Sequence, residues 1–136
     1  MKEEKHLEIL KEVLDEIETS LKDKRGLLIH QRRLAFSLSL GAVNLLELYL
    51  HRINIIKEGA KIDHRWFKRK EERILEQLEN QIIVSIDDVD KMKEIIEIIS
   101  KIEEKRDDIA YGAPSTENLL QEKINLFFKL KKIVNL

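Results

Sequence analysis

The chain has 136 residues, a formal net charge of −1 at pH 7 and no cysteine, with 43% hydrophobic and 38% charged residues. This length and composition predict a single globular domain spanning residues 1–136. The small net charge argues against binding of nucleic acid through the overall charge of the molecule. The absence of cysteine excludes disulfides and thiolate metal sites. The abundance of Lys, Glu and Ile is a compositional hint of a thermophilic source.

An apolar residue at every third or fourth position predicts a first helix over residues 2–24. A second helix is expected over residues 28–56, and its core "LAFSLSLGAVNLLELYL" is nearly apolar throughout. Asn44 and Glu47 lie within that stretch, which favours a buried core helix over a membrane span. Gly41 is expected to let a neighbouring backbone approach closely. The charged N-terminus does not resemble a signal peptide, so a cytoplasmic protein with no membrane partner is expected.

Residues 57–61 have the composition of a turn, after which Asp63 is expected to cap a third helix over residues 64–81. The following stretch "QIIVSI", residues 81–86, has strand character but no partner strand. It is interpreted as a helix end and a connection.

A fourth helix is expected to begin at Ser85 or Asp87 and to run to about Tyr111, where Gly112 and Pro114 end it. Ser115 or Thr116 is expected to cap a fifth helix that carries leucines and phenylalanines at helical spacing. The predicted fold class is therefore all-α, an antiparallel up-and-down bundle of about five helices.

One arginine interrupts the apolar face of the predicted fourth helix. Four apolar residues follow one another at steps of three, four and three: Met92, Ile95, Ile99 and Ile102. The next position of that face is Arg106, whose guanidinium keeps its charge at any working pH. Either its stem lies on apolar surface while its head reaches a carboxylate, for which Glu103 is the natural local partner, or it faces a second subunit or a ligand cleft.

The four histidines do not form a metal motif. His6, His30, His51 and His64 lie in different predicted elements, and none has a partner at a zinc-type spacing. They are expected to serve packing or to lie on the surface. No metal and no cofactor is expected, and no phosphate-binding glycine loop is present in the sequence.

The segment "HRWFKRK", residues 64–70, surrounds the only tryptophan with cations. Arg65, Lys68 and Arg69 could share one side of a helix, and such a patch beside Trp66 could bind RNA phosphates and a base. In the alternative interpretation, the aromatic residues anchor the helix and the charges are solvated.

Two stretches of the sequence resemble a known family of small helical bundles. The stretch "LLELYLHRINIIKEGAKIDHRWF" is similar to the second helix, turn and next helix of HEPN domains, and "RDDIAYG" resembles their late-helix signature of Arg, a polar residue, a spacer and His. The resemblance implies a HEPN-like bundle in which the Arg and His of the motif line a cleft, commonly between two subunits. Active members of that family cleave RNA without a metal.

Carried over by position, Arg106 would hold a phosphate, Asp107 would match the polar residue, and Tyr111 would replace the histidine. A tyrosine ordinarily loses its proton near pH 10, so it is poorly suited to act as a base near pH 7. On an ideal helix Arg106 and Tyr111 would also lie roughly 140° apart. They could converge only through a loosened last turn or across the two-fold axis of a dimer.

Three functions are compatible with these features. The first is a HEPN-like homodimer that binds nucleotide or RNA at a cleft lined by Arg106, acting as the toxin half beside a small nucleotidyltransferase, as the resemblance implies. The second is a non-catalytic module for dimerisation or protein interaction in which Arg106 is structural. The third is a metal-independent ribonuclease in which Tyr111 or a distant histidine supplies the missing base.

Overall fold

The computed structural model describes residues 2–135. Among these residues, six α-helices and three short 3-10 turns form an all-α bundle, which confirms the predicted fold class. The α-helices are α1 (Glu3–Lys22), α2 (Gln31–Arg52), α3 (Glu71–Glu79), α4 (Met92–Glu103), α5 (Arg106–Tyr111) and α6 (Glu117–Ile133). The 3-10 turns are Leu28–His30, His64–Lys68 and Ile86–Asp88.

The apolar helix α2 is the centre of the bundle and packs against α1, α4, α5 and α6. Residues 28–52 have the length and composition of a membrane-spanning helix, but 72% of their most apolar window is buried within the bundle. The polar residues in this helix have partners there. Asn44 Oδ1 lies 2.7 Å from His6 Nδ1, and Glu47 Oε1 accepts a hydrogen bond from the backbone N–H of Ile62 at 2.7 Å. A core helix explains the apolar stretch, as the sequence predicts.

The predicted third helix is broken into two pieces. Asp63 does act as a cap, since its carboxylate accepts a hydrogen bond from the backbone N–H of Arg65 at 2.9 Å, but it caps a 3-10 turn. Extended backbone at Arg69 and Lys70 separates this turn from α3. Histidine, tryptophan and phenylalanine are weak helix formers, which disfavours a continuous α-helix here, and the 3-10 turn buries Phe67 to 2% exposure.

The predicted fourth helix also divides, and the break falls just before Arg106. α4 ends at Glu103, and Lys105 adopts a left-handed conformation with φ of 62°. α5 then begins at Arg106 and ends before Gly112, where the sequence predicts a helix end. The apolar face of the first part is confirmed, because Met92, Ile95, Ile99 and Ile102 are each at most 3% exposed.

A buried lysine explains why α4 ends where it does. The last carbonyls of a helix have no partner within it, and a cation placed there is favoured by the helix dipole. Lys123, on α6, donates from Nζ to the carbonyl of Lys101 and to that of Glu104, the latter at 2.6 Å. Its side chain is 5% exposed, and this burial lowers the pKa of Lys123. The contact between α6 and the end of α4 therefore fixes the point at which α5 starts.

Two further predictions concern the ends of helices. Thr116 caps α6, since its Oγ1 accepts a hydrogen bond from the backbone N–H of Leu119 at 3.1 Å. The stretch 81–86 is a connection, as interpreted from the sequence, but α3 already ends at Glu79, so it contains no helix end. One isolated antiparallel bridge joins Ile82 and Ile56.

Gly41 allows a close approach, but of side chains and not of backbone. A Cβ atom at this position would lie 2.6 Å from Cε1 of Phe127 on α6 and 2.8 Å from Cγ1 of Val13 on α1. Both distances are shorter than real carbon contacts, and both neighbours are fully buried. The glycine therefore sets the spacing among three helices.

We expect Gly41→Ala to lower the free energy of unfolding by about 1–3 kcal/mol, because overpacking at a buried junction outweighs the gain in helix propensity. Urea unfolding followed by circular dichroism measures the change. Ser37→Ala, a half-buried position on the same helix, serves as the control. An unchanged or higher stability of Gly41→Ala would contradict the assigned role.

Candidate functional site

A groove of about 980 Å³ lies between α2 and the segment 59–66 and ends at Arg106. We call it the Arg106 groove and define it by six of its lining residues: Phe36, Ser39, Leu40, His64, Trp66 and Arg106. Three of these come from α2, two from the 3-10 turn after Asp63, and one from the start of α5. The wall therefore combines aromatic rings, a hydroxyl, an imidazole and a guanidinium.

Arg106 is held in place from three sides, and its side chain is only 14% exposed. The guanidinium carbon lies 5.0 Å from the centre of the Phe36 ring, a cation–π contact of about 0.5–2 kcal/mol. Nε lies 3.8 Å from Oε1 of Glu103, an ion pair beyond hydrogen-bond distance, and Nη1 donates to Oδ1 of Asp107 at 2.9 Å. The expected partner Glu103 is thus confirmed. The contact with Asp107 was not expected, and it arises because Arg106 starts a new helix.

Glu103 is the residue that connects the site, although it is only 1% exposed. Its Oε2 accepts a hydrogen bond from Ser39 Oγ at 2.8 Å, and its Oε1 lies 2.6 Å from Nδ1 of His64. A buried carboxylate requires such partners, because an unpaired charge in the interior is costly. This one carboxylate therefore connects α2, α4, α5 and the 3-10 turn His64–Lys68.

Sequence reasoning named Glu103 only as a partner of Arg106 and gave no site role to Ser39, Phe36 or His64. A signal for the burial of Glu103 was present in the helical spacing. Positions 92, 96, 99 and 103 follow at steps of four, three and four, and Ile96 and Ile99 are fully apolar members of that face. A glutamate at its end is a buried acid in need of donors.

The predicted cationic cluster is divided between two surfaces. Arg65 lines the Arg106 groove and pairs with Asp63 at 2.6 Å. Lys68 and Arg69 line a second cleft of about 810 Å³, which Arg106 borders from the other side. Six cationic and six anionic side chains line this second cleft, so it carries no net charge. Of the three predicted residues, Arg65 alone shares the groove with Arg106.

Arg106 and Tyr111, the two residues of the HEPN-like motif, both contact Phe36. Tyr111 is 70% exposed, and its ring packs edge-on against Phe36 with the ring centres 5.7 Å apart. Phe36 thus contacts the guanidinium of Arg106 and the ring of Tyr111. Asp107 lines the second cleft, where its other oxygen pairs with Lys68 Nζ at 2.6 Å.

The remaining histidines lie in other parts of the bundle. His6 is fully buried beside Asn44, and His30 is 4% exposed with Nε2 2.8 Å from Oδ2 of Asp23. Within residues 2–135, no group of three or more His, Asp or Glu side chains has an arrangement that could hold a metal ion.

Comparison of the chain with protein-family models, with curated protein sequences and with solved structures finds no match. The resemblance to HEPN domains rests on the quoted motifs of the sequence.

Asp63 fixes the turn that carries His64 and Trp66 into the groove. Hydrogen bonds from the side chain and backbone of Arg65 lower the pKa of Asp63 to about 2. A carboxyl group with a lowered pKa in the folded state stabilises the fold above its ordinary pKa, and that contribution is lost as the pH falls toward 2.

We expect the wild-type protein to lose more stability between about pH 4 and about pH 2 than the Asp63→Asn variant, which keeps the cap oxygen but has no charge to lose. Thermal unfolding at a series of pH values measures the difference. Asp87→Asn, at an exposed position, is the matched control and should follow the wild type. Identical acid profiles for Asp63→Asn and wild type would contradict the prediction.

Proposed function

We propose that this chain is a HEPN-like homodimeric domain that binds a nucleotide or a short stretch of RNA in the Arg106 groove. The observation that carries the proposal is the guanidinium of Arg106, which is fixed on the Phe36 ring at the wall of a large groove. A planar guanidinium held in this way is suited to phosphate, because it can donate two parallel hydrogen bonds.

The aromatic residues of the groove support a ligand that carries a base. Trp66 and Phe36 both line it, and bases of single-stranded RNA stack on such rings regardless of sequence. Arg65 adds a second cation, although it is partly neutralised by Asp63. The second cleft has balanced charges, so a long polyanion gains little from it, and the proposal is limited to a short ligand.

Catalysis is not part of this proposal, because a tyrosine occupies the histidine position of the motif. A small nucleotidyltransferase as partner, with this chain as the toxin half, belongs to the proposal through the resemblance alone.

We expect Arg106→Ala to weaken the binding of a short fluorescent RNA at low salt by at least about tenfold, because phosphate loses its fixed partner. Arg106→Lys should recover only part of the affinity, since an ammonium keeps the charge but not the planar fork. Fluorescence anisotropy measures both.

Arg52→Ala is the matched control, because Arg52 pairs with Glu3 at the far end of α2 and changes the charge by the same amount. If RNA binds Arg106→Ala as tightly as wild type, or fails to bind the wild type at all, the proposed function is wrong.

A second function, that of a dimerisation or interaction module, is favoured by an apolar patch beside the groove. Phe36, Leu40 and Tyr111 are 40%, 47% and 70% exposed, and the first two also line the groove. Exposed apolar residues that cluster in this way are typical of protein interfaces. In a two-fold dimer through this patch, two copies of the groove would lie next to each other.

We expect the wild-type protein to be a dimer and Leu40→Glu to be a monomer, because a carboxylate on a self-complementary patch meets its own copy across the axis. Sedimentation velocity over a range of concentrations distinguishes the two states. Leu21→Glu is the control, since Leu21 on α1 is 45% exposed and lies outside the patch. A wild-type monomer, or a dimer that persists in Leu40→Glu, would rule out this interface.

A further inference from the structure

His64 and Arg106 share one buried carboxylate. Nδ1 of His64 lies 2.6 Å from Oε1 of Glu103, and Nε of Arg106 lies 3.8 Å from the same oxygen. Both side chains also line the Arg106 groove. The imidazole and the guanidinium are therefore neighbours at one end of the groove, and the charge of Glu103 acts on both.

The charges around Arg106 cancel before any ligand arrives. Arg106 is opposed by Glu103 and by Asp107, and the other oxygen of Asp107 is paired with Lys68. These four groups carry two positive and two negative charges. Of the other charged side chains that line the groove, Arg65 is paired with Asp63, and Lys61 and Glu47 carry opposite charges. An anion that enters the groove meets a fixed donor, but no net positive charge.

The protonation state of His64 decides the sign of that local charge. With a neutral imidazole the sum is zero, and with an imidazolium it is one positive charge. The His64 side chain is 31% exposed, so it can exchange protons with solvent. Because Nδ1 faces Glu103, the second ring nitrogen lies on the opposite side of the ring, where it is not engaged by that carboxylate.

We propose that binding of a phosphate ester in the Arg106 groove is coupled to the uptake of one proton by His64. The protonated ring donates from Nδ1 to Glu103 and from Nε2 to the ligand, beside the guanidinium of Arg106. This inference rests on the proposed function and adds to it the regulation of the site by pH. The charged groups that face His64 or its groove are the following: Glu103 from α4, Arg106 from α5, Glu47 from α2, and Asp63, Arg65 and Lys61 from its own segment.

The test requires ligands whose own charge does not change with pH. Inorganic sulfate and a dinucleotide monophosphate such as UpU meet this requirement between about pH 5.5 and about pH 8, the range in which imidazoles titrate. Isothermal titration calorimetry in two buffers of different ionisation enthalpy measures the protons taken up. We expect uptake of up to one proton at the upper end of the range, and an affinity that falls by up to about tenfold per pH unit there.

Two variants should both reduce this pH dependence, one with weak binding and the other with tighter binding. His64→Gln keeps a donor for Glu103 but cannot gain a charge, so binding should be weak and independent of pH. Glu103→Gln removes one negative charge, so binding near pH 8 should be tighter than in wild type and its pH dependence smaller. His51→Gln, on the same helix as Phe36 but outside the groove, is the control and should keep the wild-type slope. Circular dichroism verifies that each variant is folded.

The outcomes separate the two proposals. If neither probe binds near pH 5.5, both the binding function and the coupling are wrong. If both probes bind in a manner that depends on Arg106 but with no change across the pH range, only the coupling is wrong. A slope that survives in His64→Gln assigns the proton to another group and overturns the role of His64.

Discussion

The end of α4 is the constraint on which the rest of the site depends. A helix that continued past Glu103 would place Arg106 on the face of the buried isoleucines, where its charge would need a partner inside the core. Lys123 is buried at this point and donates to the carbonyls of Lys101 and Glu104 at the end of α4. A left-handed Lys105 then changes the direction of the chain. The cost of burying one ammonium is offset by carbonyl groups that would otherwise lack donors. Arg106 then starts a new helix and turns toward the groove.

The end of α4 at Glu103 also gives the buried carboxylate of this residue access to hydrogen-bond donors. As the last residue of α4, it lies next to the break, and its carboxylate can meet donors from α2 and from the 3-10 turn while it stays within reach of Arg106. The groove is therefore a property of several elements that converge on one acid. Ser39, His64 and Arg106 reach this acid from three elements, and the most central of these, α2, packs closely against Phe127 and Val13 at Gly41.

The sequence predicts the fold class, the core of α2 and the buried face of α4, because apolar periodicity and a long apolar run are strong signals. It misses the break before Arg106, since Lys123 is distant in sequence and a lysine gives no hint of burial. It also places Arg65, Lys68 and Arg69 on one side of a helix. The reason is that a helical spacing of 3.6 residues does not predict the 3-10 turn His64–Lys68. It assigns His64 to packing or to the surface, because nothing in the sequence pairs this residue with Glu103, 39 positions away.

The contacts of Phe36 show that the spacing of the motif in the sequence does not determine the geometry of the site. Arg106 and Tyr111 are five positions apart, and both contact this one ring, from which Tyr111 extends into solvent. The tyrosine thus belongs to the exposed apolar patch, while the imidazole near Arg106 is that of His64, from a different part of the chain. If the motif arginine keeps its position next to a carboxylate, an imidazole from any element that reaches this carboxylate can set the charge of the site. In this chain the shared acid Glu103 brings His64 next to Arg106, a neighbour that the spacing of the motif does not indicate.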